Sequence, residues 1–435
     1  MTGLLHMPLL HIALRSAWNR RGTLALVVLS IALATALLLG LERLRSDIRS
    51  SFMAAVSGTD LVVGPRTGPV QLMLAAVFRI GNTANTIGMD SVRALAAHRA
   101  VAWAVPIALG DGHRGRPVLG TTPDYFQHFA YGDRQPLVLA QGRVFSGTLD
   151  GLYETVVGAE VAASQGYRLG RKVVFHHGLQ ALPDGMPDQH GEQPFTVVGI
   201  LAATGTPVDR TLFVSLQSLS AIHLDWAGGS PLPASAGVKI APELARKFDL
   251  EPKQVTAVLV GLKSRAAVFN VQRFVADYPA EPLMAVLPGV ALDELWTVVG
   301  LGERALLAVS ALVALVSLAS LVAVVLAGLN ERRRELAVLR AVGAGPRQVL
   351  LLLALEGALV TVSGAFLGAL AAALTVVLAG PWVQRQLGIT LQAGAPMAAQ
   401  WSLFAAVVAA GMLASLLPGW RAYRLSLADG LSPHS

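Results

Sequence analysis

Residues 305–347 decide the fold, because ALLAVSALVALVSLASLVAVVLAG at 305–328 is followed at once by LNERRRELAVLRAVGAGPR at 329–347. The first part has no charged residue, and as a helix it is long enough to cross a hydrocarbon core of about 30 Å. Three further apolar runs lie at 22–41, 349–379 and 401–417. Four such runs are untypical of buried helices in a soluble chain, so the sequence predicts a membrane protein with four transmembrane helices.

The composition agrees with a membrane protein and excludes several other classes. Of the 435 residues, 54% are hydrophobic and 14% are charged, whereas a soluble domain has about 25% charged residues. Disordered chains are polar and highly charged, so disorder is excluded. The absence of cysteine excludes a disulfide framework, thiolate catalysis and Cys-ligated metal sites. The run at 22–41 is longer than the apolar region of a signal peptide, about 7–15 residues, and we expect an uncleaved anchor.

The basic residues near the membrane ends predict the topology. Arginines cluster before the first run, in the segment 329–348 and in the tail, while the segment 380–400 contains only Arg385. Because Lys and Arg concentrate on the cytoplasmic side, both termini and the 329–348 loop are predicted to be cytoplasmic. These three cytoplasmic pieces carry the whole formal net charge of +7. The charge is therefore a topology signal, and we expect no binding to nucleic acid.

The long segment between the first two runs is predicted to be an extracytoplasmic α+β domain at 53–290. Helix-like stretches lie at 90–98 and 266–278. Strand-like stretches, punctuated by Gly and Pro, lie at 60–63, 101–108, 155–157, 172–175, 195–201, 211–214 and 255–262.

The edges of this domain predict a stalk. Apolar residues recur at helical spacing after the first run at Leu41, Leu44, Ile48 and Phe52. A single helix over 291–329 would be about 58 Å long, nearly twice the hydrocarbon thickness. We therefore expect the first two transmembrane helices to continue outward. The alternative is a set of shorter helices joined by hinges at Gly300 and Gly302.

The sequence contains no motif of a known catalytic site. GxxxxGK[ST], HExxH and GxSxG are all absent, so the chain does not bind ATP in the P-loop manner and is expected to be non-catalytic. A membrane-anchored enzyme would need catalytic residues that no motif identifies. His176, His177 and His190 lie close to several carboxylates and could ligate zinc. A solvated hairpin tip accounts for the same polar loop, and we expect no metal.

Three residues within the third run stand out. Glu356 is a carboxylate in an apolar span, where such groups are costly and are either paired or functional. Gly364 and Gly368 form a GxxxG motif that lets two helices approach closely. We predict that these residues serve transmembrane packing or the transmission of movement.

The segment 330–347 is predicted to form a short amphipathic helix at the inner membrane face. Leu336, Leu339 and Val342 form an apolar ridge between arginines, and Gly343 with Gly345 and Pro346 ends the helix. Such a helix could bind lipid headgroups or could dock on a cytoplasmic partner.

Four stretches resemble one known family. ERRRELAVLRAVGAGPRQVLLLLALEGALVTVSGAFLGALAAAL at 331–374 resembles the signature of FtsX-like permeases of ABC transporters, the MacB/LolC/LolE group. PGWRAYRLSLADGLSP at 418–433 resembles the C-terminal motif of that group, and LLHIALRSAWNRRGTLALVVLSIALA at 9–34 resembles its first helix. GTDLVVGPRTGPVQLMLAAVF at 58–78 resembles the start of the outer domain in one branch of the group.

This resemblance implies the partners and the cofactors. The chain would be one permease subunit that pairs with a second, identical or paralogous, and with a cytoplasmic ABC ATPase dimer. ATP and Mg would bind to that ATPase, and this chain would bind no cofactor. A periplasmic adaptor or lipoprotein and membrane lipid are further expected partners. The coupling helix, which would fit a groove of the ATPase, comprises Glu331, Arg332, Arg333, Arg334, Glu335, Leu336, Leu339, Arg340 and Gly343.

The resemblance also implies a location and a domain plan. We expect an inner-membrane protein with a MacB-like periplasmic domain, in which 131–199 is an inserted subdomain. The expected segments are an amphipathic cytoplasmic-face lead-in at 1–21, transmembrane helix 1 and stalk at 22–52, the domain at 53–290, stalk and transmembrane helix 2 at 291–329, the coupling loop at 330–346, transmembrane helix 3 at 347–379, a short outer loop at 380–400, transmembrane helix 4 at 401–420 and a cytoplasmic tail at 421–435.

The expected function is mechanical. ATP hydrolysis on the partner would move the periplasmic domain and drive export or extraction of an amphiphilic, lipidated or peptide-like substrate. The alternative within the same family is a signalling scaffold that controls a periplasmic hydrolase or responds to a ligand.

Overall fold

The computed structural model describes residues 21–81, 85–178, 193–224, 226–227, 230–231, 242–331, 338, 341, 345–387, 391 and 394–424. The chain divides into two compact units. The helical unit comprises Met1–Asp47, Gly300–Trp382 and Leu391–Ser435, and the sheet unit comprises Ile48–Val299 and Val383–Thr390.

The described helices are numbered in chain order. They are α1 (Arg21–Ala54), α2 (Pro69–Ala76), α3 (Met89–Ala96), α4 (Asp124–His128), α5 (Ala159–Gln165), α6 (Leu216–Ile222), α7 (Pro242–Ala245), α8 (Val268–Ala276), α9 (Pro288–Glu331), α10 (Pro346–Leu387) and α11 (Ala398–Arg424).

Four helices are long and apolar enough to cross a membrane. Their candidate spans are Arg21–Ala54, Pro288–Ala327, Arg347–Val383 and Ala398–Leu417, which confirms the predicted fold class. The helix α9 continues through Gly300 and Gly302 without a break, so the alternative with hinges at these glycines is wrong. Glycine weakens a helix by about 1 kcal/mol relative to alanine, and this cost does not interrupt α9.

The core of the helical unit lies where α1, α9 and α10 meet. Leu24, Val27 and Ile31 of α1 pack with Leu321 of α9 and Val360 of α10, all of them buried. These contacts position the polar and glycine residues that line the same helices.

The sheet unit is built on strands β1 to β17 in chain order. They are β1 (Leu61–Pro65), β2 (Ile87–Gly88), β3 (Val101–His113), β4 (Arg116–Thr121), β5 (Ala130–Tyr131), β6 (Gln135–Pro136), β7 (Leu139–Gly142), β8 (Glu154–Val157), β9 (Lys172–Val173), β10 (His176–His177), β11 (Phe195–Leu201), β12 (Leu212–Ser215), β13 (Trp226–Ala227), β14 (Ser230–Pro231), β15 (Gln254–Val255), β16 (Ala257–Leu262) and β17 (Leu283–Val286).

Eleven of these strands form one mixed sheet. Its order is β17-β1-β16-β3-β4-β12-β8-β11-β7, with β10 paired to β3 and β9 paired to β11. Most neighbours are antiparallel, while β12 with β4 and β11 with β8 are parallel pairs. Residues within 131–199 supply several strands of this sheet, and the boundary of the inserted subdomain stays a prediction.

Both faces of the sheet are covered, which explains why β1 is buried at every position. Side chains alternate between the faces of a strand, so Val62 packs in one core with α2 while Leu61 and Val63 pack in another with α3 and α8. Strands that are buried on both faces therefore have continuous apolar sequences. The strand-like stretches predicted from the sequence lie on β1, β3, β8, β9, β11, β12 and β16.

Candidate functional site

The predicted coupling residues lie outside the described residues, apart from the backbone of Glu331 at the end of α9. These residues are Arg332, Arg333, Arg334, Glu335, Leu336, Leu339, Arg340 and Gly343. Between them, Val338 and Ala341 are helical and exposed. The predicted role of this loop stays a prediction.

The glycines of the GxxxG motif lie where α10 contacts α1. A Cβ atom added to Gly364 would lie 2.8 Å from Ile31 Cβ and 3.0 Å from the Val28 carbonyl oxygen. A Cβ atom on Gly368 would lie 2.7 Å from Thr35 Cβ and would collide with the backbone of Ala32. Side chains of any size are thus excluded, and the two backbones approach as closely as small residues allow.

A second glycine contact joins α10 to α11. A Cβ atom on Gly411 would lie 2.9 Å from Thr361 Cβ, and one on Gly357 would collide with Ser415 Cβ. The Thr361 hydroxyl donates to the Gly357 carbonyl at 2.9 Å. Sequence reasoning missed this contact, although the small residues inside two apolar runs were a usable signal.

Glu356 is next to this contact and is buried, with 4% of its surface exposed. One turn of helix separates it from Leu352 and Val360, which are also buried. A carboxylate held between apolar helices is costly unless it is partnered. Its predicted roles, packing or transmission, both stay open.

Hydroxyl groups join α1 to α9. Ser30 Oγ lies 2.9 Å from Ser317 Oγ, and the Ser317 hydroxyl also lies 2.9 Å from the Val313 carbonyl oxygen of its own helix. Interhelical hydrogen bonds of this kind average about 0.6 kcal/mol in membranes.

A charged cluster lies near the end of α1 in the helical unit. Arg43 Nε donates to Asp47 Oδ2 at 3.2 Å, and Arg43 Nη1 donates to the Ala395 carbonyl and to Gln400 Oε1, both at 3.3 Å. Arg43 and Asp47 are both buried. Sequence reasoning missed this pair, although Arg43 and Asp47 have the i,i+4 spacing at which opposite charges on one helix meet.

An apolar cavity of about 320 Å³ lies beside this cluster. Its walls come from α1, α10 and α11, with Leu39, Phe366, Val377, Trp401 and Phe404 among the lining residues. Arg43 and Gln400 are polar residues of the same lining. The cavity thus combines an apolar body with a cationic side chain.

The predicted stalk residues divide between the two units. Leu41 and Leu44 lie in the helical unit, and Ile48 and Phe52 lie in the sheet unit. The Phe52 ring stacks on Phe78 at a centroid distance of 4.3 Å and meets the edge of Trp296 at 5.6 Å. Leu44 is exposed. Their mechanical role stays a prediction.

The two described histidines of the predicted metal candidates have different surroundings. His176 Nε2 accepts the backbone N–H of Arg114 at 3.2 Å. His177 faces Asp111 across the β10–β3 pair, with His177 Nδ1 2.9 Å from Asp111 Oδ1. His190 lies outside the described residues. The structure adds His223, which sequence reasoning missed, at 3.0 Å between its Nε2 and that of His177.

The charge balance at Asp111 reflects these neighbours. Burial alone would raise the pKa of the Asp111 carboxyl, but the nearby imidazoles of His177 and His223 outweigh it and lower that pKa well below its usual range. Asp111 is therefore an ionised acceptor at neutral pH.

Two family descriptions match the chain. "MacB-like periplasmic core domain" matches residues 22–273, and "FtsX-like permease C-terminal" matches residues 307–427. No curated protein matches the chain.

Two solved structures are among those similar to this chain. One is the periplasmic region of MacB from Actinobacillus actinomycetemcomitans, at 12% identity and a TM-score of 0.34, covering 56% of this chain and 97% of that chain. The other is the extracellular domain of the noncanonic ABC-type transporter YknZ from Gram-positive bacteria, at 14% identity and a TM-score of 0.30, covering 53% and 98%.

Proposed function

This chain belongs to the FtsX-like ABC transporter permeases that carry a MacB-like periplasmic domain, and we propose that it couples ATP hydrolysis by a separate ATPase to mechanical movement of that domain. Membership of this family implies partnership with an ABC ATPase. The proposed cargo is an amphiphilic, lipidated or peptide-like molecule that is exported or extracted from the membrane. ATP and Mg would bind to the ATPase, and this chain would act as a non-catalytic subunit.

The observation that carries the proposal is the family match over 307–427. It includes most of α9, all of α10 and α11, and the arginine-rich loop from Arg332 to Arg340. A basic amphipathic segment at the inner membrane face suits a groove on a cytoplasmic partner. We therefore assign the ATPase contact to this loop.

The polar groups of the helical unit support movement without a hydrophilic channel. Ser30 pairs with Ser317, Thr361 bonds to its own helix, and Arg43 pairs with Asp47. A water-filled pathway needs polar side chains that line it along its length. Among the described residues, these hydroxyl and charged groups instead form contacts between and within helices.

The cavity beside Arg43 supports an amphiphilic cargo. A volume of about 320 Å³ with mostly apolar walls suits part of an acyl chain or an apolar side chain. Arg43 also lines the cavity, and a polar headgroup would compete with Asp47 for its guanidinium. A fully hydrophilic cargo would gain nothing from such walls.

Apolar residues on α9 support a second permease subunit or lipid as a neighbour in the membrane. Leu306, Val309, Leu312, Leu315 and Val316 are all exposed in the single chain. We place the protein in the inner membrane with both termini in the cytoplasm, in keeping with the positive-inside distribution. A periplasmic adaptor or lipoprotein is the proposed partner of the periplasmic domain.

The coupling role is tested by co-purification of the full chain with the host ABC ATPase. We expect the double variant R333E/L336D to lose most of the bound ATPase, because it reverses a charge and buries a carboxylate at the contact. The variant R304E, at an exposed position on α9, is the matched control and should keep it. Retention of the ATPase by R333E/L336D would refute the assignment.

Transport and signalling are separated by reconstitution of the chain with its ATPase in liposomes. Transport predicts that a fluorescent lipopeptide leaves the bilayer only when ATP is hydrolysed. If hydrolysis proceeds without release of lipopeptide, while a periplasmic hydrolase from the host is activated, the signalling scaffold replaces the proposed function.

A further inference from the structure

Three side chains that can ligate a metal meet in the sheet unit, and none of their contacts enters the proposed transport function. Asp111 lies on β3, His177 lies on β10, and His223 directly follows α6. The strand register sets Asp111 opposite His177, and α6 packs near β4 and β12 of the same sheet. We refer to these three residues as the Asp–His cluster.

The distances within the Asp–His cluster are close to those around a single ion. Asp111 Oδ1 lies 2.9 Å from His177 Nδ1 and 3.5 Å from His223 Nε2, and the two Nε2 atoms are 3.0 Å apart. One ligand atom from each residue can be chosen so that all three lie within 4.8 Å of one another. Donors bound to zinc at about 2.0–2.2 Å in a tetrahedron lie roughly 3.4 Å apart. Asp111 meets Nδ1 of His177 and His223 meets Nε2 of His177, so the His177 ring has to turn for one nitrogen to face an ion together with the other two residues.

The tautomer of His223 is fixed by its own helix. His223 Nδ1 lies 2.7 Å from the Leu219 carbonyl oxygen, an acceptor, so the proton of the neutral ring is on Nδ1. The lone pair of Nε2 then faces His177 and Asp111. A histidine whose second nitrogen donates to a backbone carbonyl is the usual arrangement in metal sites.

This tautomer leaves His177 with conflicting demands. If His177 Nε2 carries the proton that faces His223, then the bare Nδ1 faces the Asp111 carboxylate at 2.9 Å. If Nδ1 carries the proton, two nitrogen lone pairs face each other at 3.0 Å. A positive charge in the cluster, either an ion or an extra proton on a ring, removes both conflicts.

The burial of the Asp111 carboxylate also favours a positive charge in the cluster. Asp111 is 2% exposed, and the polar contacts of its Oδ1 atom include those with His177 and His223. A buried carboxylate is costly unless a positive charge or hydrogen-bond donors stand beside it. The side chains of His177 and His223 are about one quarter exposed, so an ion can reach the cluster from solvent.

We propose that Asp111, His177 and His223 bind a divalent transition-metal ion such as Zn²⁺. Two imidazoles and one carboxylate are a known zinc ligand set that leaves one coordination position open. Imidazole nitrogen favours zinc, copper or nickel over Mg²⁺ and Ca²⁺, which prefer oxygen. From the sequence we expected no bound metal, with His176, His177 and His190 as the candidate ligands. The proposed site keeps His177 and uses Asp111 and His223 as its other ligands. It does not depend on the transport function.

The test is Zn²⁺ titration of the purified full chain in detergent after removal of metal with a chelator. We expect one Zn²⁺ per chain, and at least about 100-fold weaker binding in D111N, H177Q and H223Q, because even outer-shell partners of a metal site contribute 10- to 100-fold. H176Q and H98Q are the controls. H176Q removes a histidine from the same strand, H98Q removes one elsewhere in the sheet unit, and both should bind as the parent does.

Co²⁺ gives a readout that does not depend on the variants. Bound Co²⁺ should show visible absorption and an X-ray absorption spectrum with two imidazole ligands, and excess Zn²⁺ should abolish both. Failure of the unaltered chain to bind Zn²⁺, with nitrogen NMR showing a protonated His177 ring, overturns the site in favour of an imidazolium. Equal binding by H223Q and the unaltered chain also overturns it.

Discussion

Gly364 of α10 approaches Ile31 of α1 so closely that a Cβ atom on the glycine would lie 2.8 Å from Ile31 Cβ. The next glycine of the motif, Gly368, makes an equally tight contact with Thr35 one turn further along α1. The helices α1 and α10 are far apart in the sequence, and they pack this closely because Gly364 and Gly368 have no side chain. Any other residue at these two positions would push α10 away from α1.

The first prediction follows from this contact. We expect G368A to lower the free energy of unfolding by about 1–3 kcal/mol, the usual cost of overpacking. The matched control is G380A in the same helix, where the nearest atom to an added Cβ is 3.8 Å away. Thermal unfolding in one detergent measures both variants, and equal midpoints for the two would contradict the close contact.

The charged pair at the end of α1 gives the second prediction. R43M leaves the buried Asp47 without its guanidinium, and breaking a buried pair from one side costs about 3–5 kcal/mol. The double variant R43M/D47L should recover much of that loss, because neither charge then remains buried. Unfolding in detergent compares the two, with R45M as a control, since the Arg45–Glu303 pair at 2.8 Å is more exposed. A double variant as unstable as R43M would argue against the pair.

The helical unit could largely be predicted from the sequence, because its signal is local. The uncharged residues at 305–328 and the arginines that follow them predict a span and its orientation without knowledge of any other segment. Gly364 and Gly368 were found as a motif for the same reason. Their partners Ile31 and Thr35 were not, because the sequence contains no information on which helix faces them.

The sheet unit was predicted less completely, since its contacts join distant residues. The helix α2, with the sequence PVQLMLAA, was missed because it is apolar on nearly every side and shows no clear period. His177 was a metal candidate, but Asp111 and His223 are brought to it by strand pairing and by a helix end. That juxtaposition depends on register, which sequence patterns specify poorly for strands buried on both faces.

The third prediction concerns pH and the pair of Arg143 with Glu154. Arg143 Nη1 donates to Glu154 Oε2 at 2.8 Å, and a second contact joins Nη2 to Oε1. The hydrogen bonds from Arg143 outweigh burial and lower the pKa of Glu154. A lowered carboxyl pKa stabilises the fold above the unfolded value of about 4.3, and this stabilisation is lost as pH falls through the folded value.

We therefore expect R143Q to be less stable than the parent chain at pH 7 by about 0.5–1 kcal/mol, as for a pair near the surface whose arginine is exposed. The difference should shrink as pH falls below about 4.3, because Glu154 of the parent chain then approaches its lowered folded pKa and loses its charge. Urea unfolding at a series of pH values measures it, and R99Q, at an exposed position elsewhere in the sheet unit, is the control. A difference that stays constant down to pH 3 would show that packing, and not charge, is responsible.

The last prediction separates the two halves of the predicted stalk stripe on α1. Phe52 stacks on Phe78 and meets the edge of Trp296, while Leu44 is exposed in the single chain. We expect F52A to cost about 1–3 kcal/mol, less than the loss of a fully buried aromatic side chain because Phe52 is half-buried at the edge of the core, and L44A to cost less than about 0.5 kcal/mol in the isolated chain. Thermal unfolding of the purified chain measures both.

If Leu44 instead contacts the second permease subunit, L44A should weaken association of the two subunits without lowering the stability of one chain. F52A should lower stability at any protein concentration. Equal effects of the two variants would mean that the stripe acts as one surface, and the distinction drawn from the ring contacts of Phe52 would be wrong.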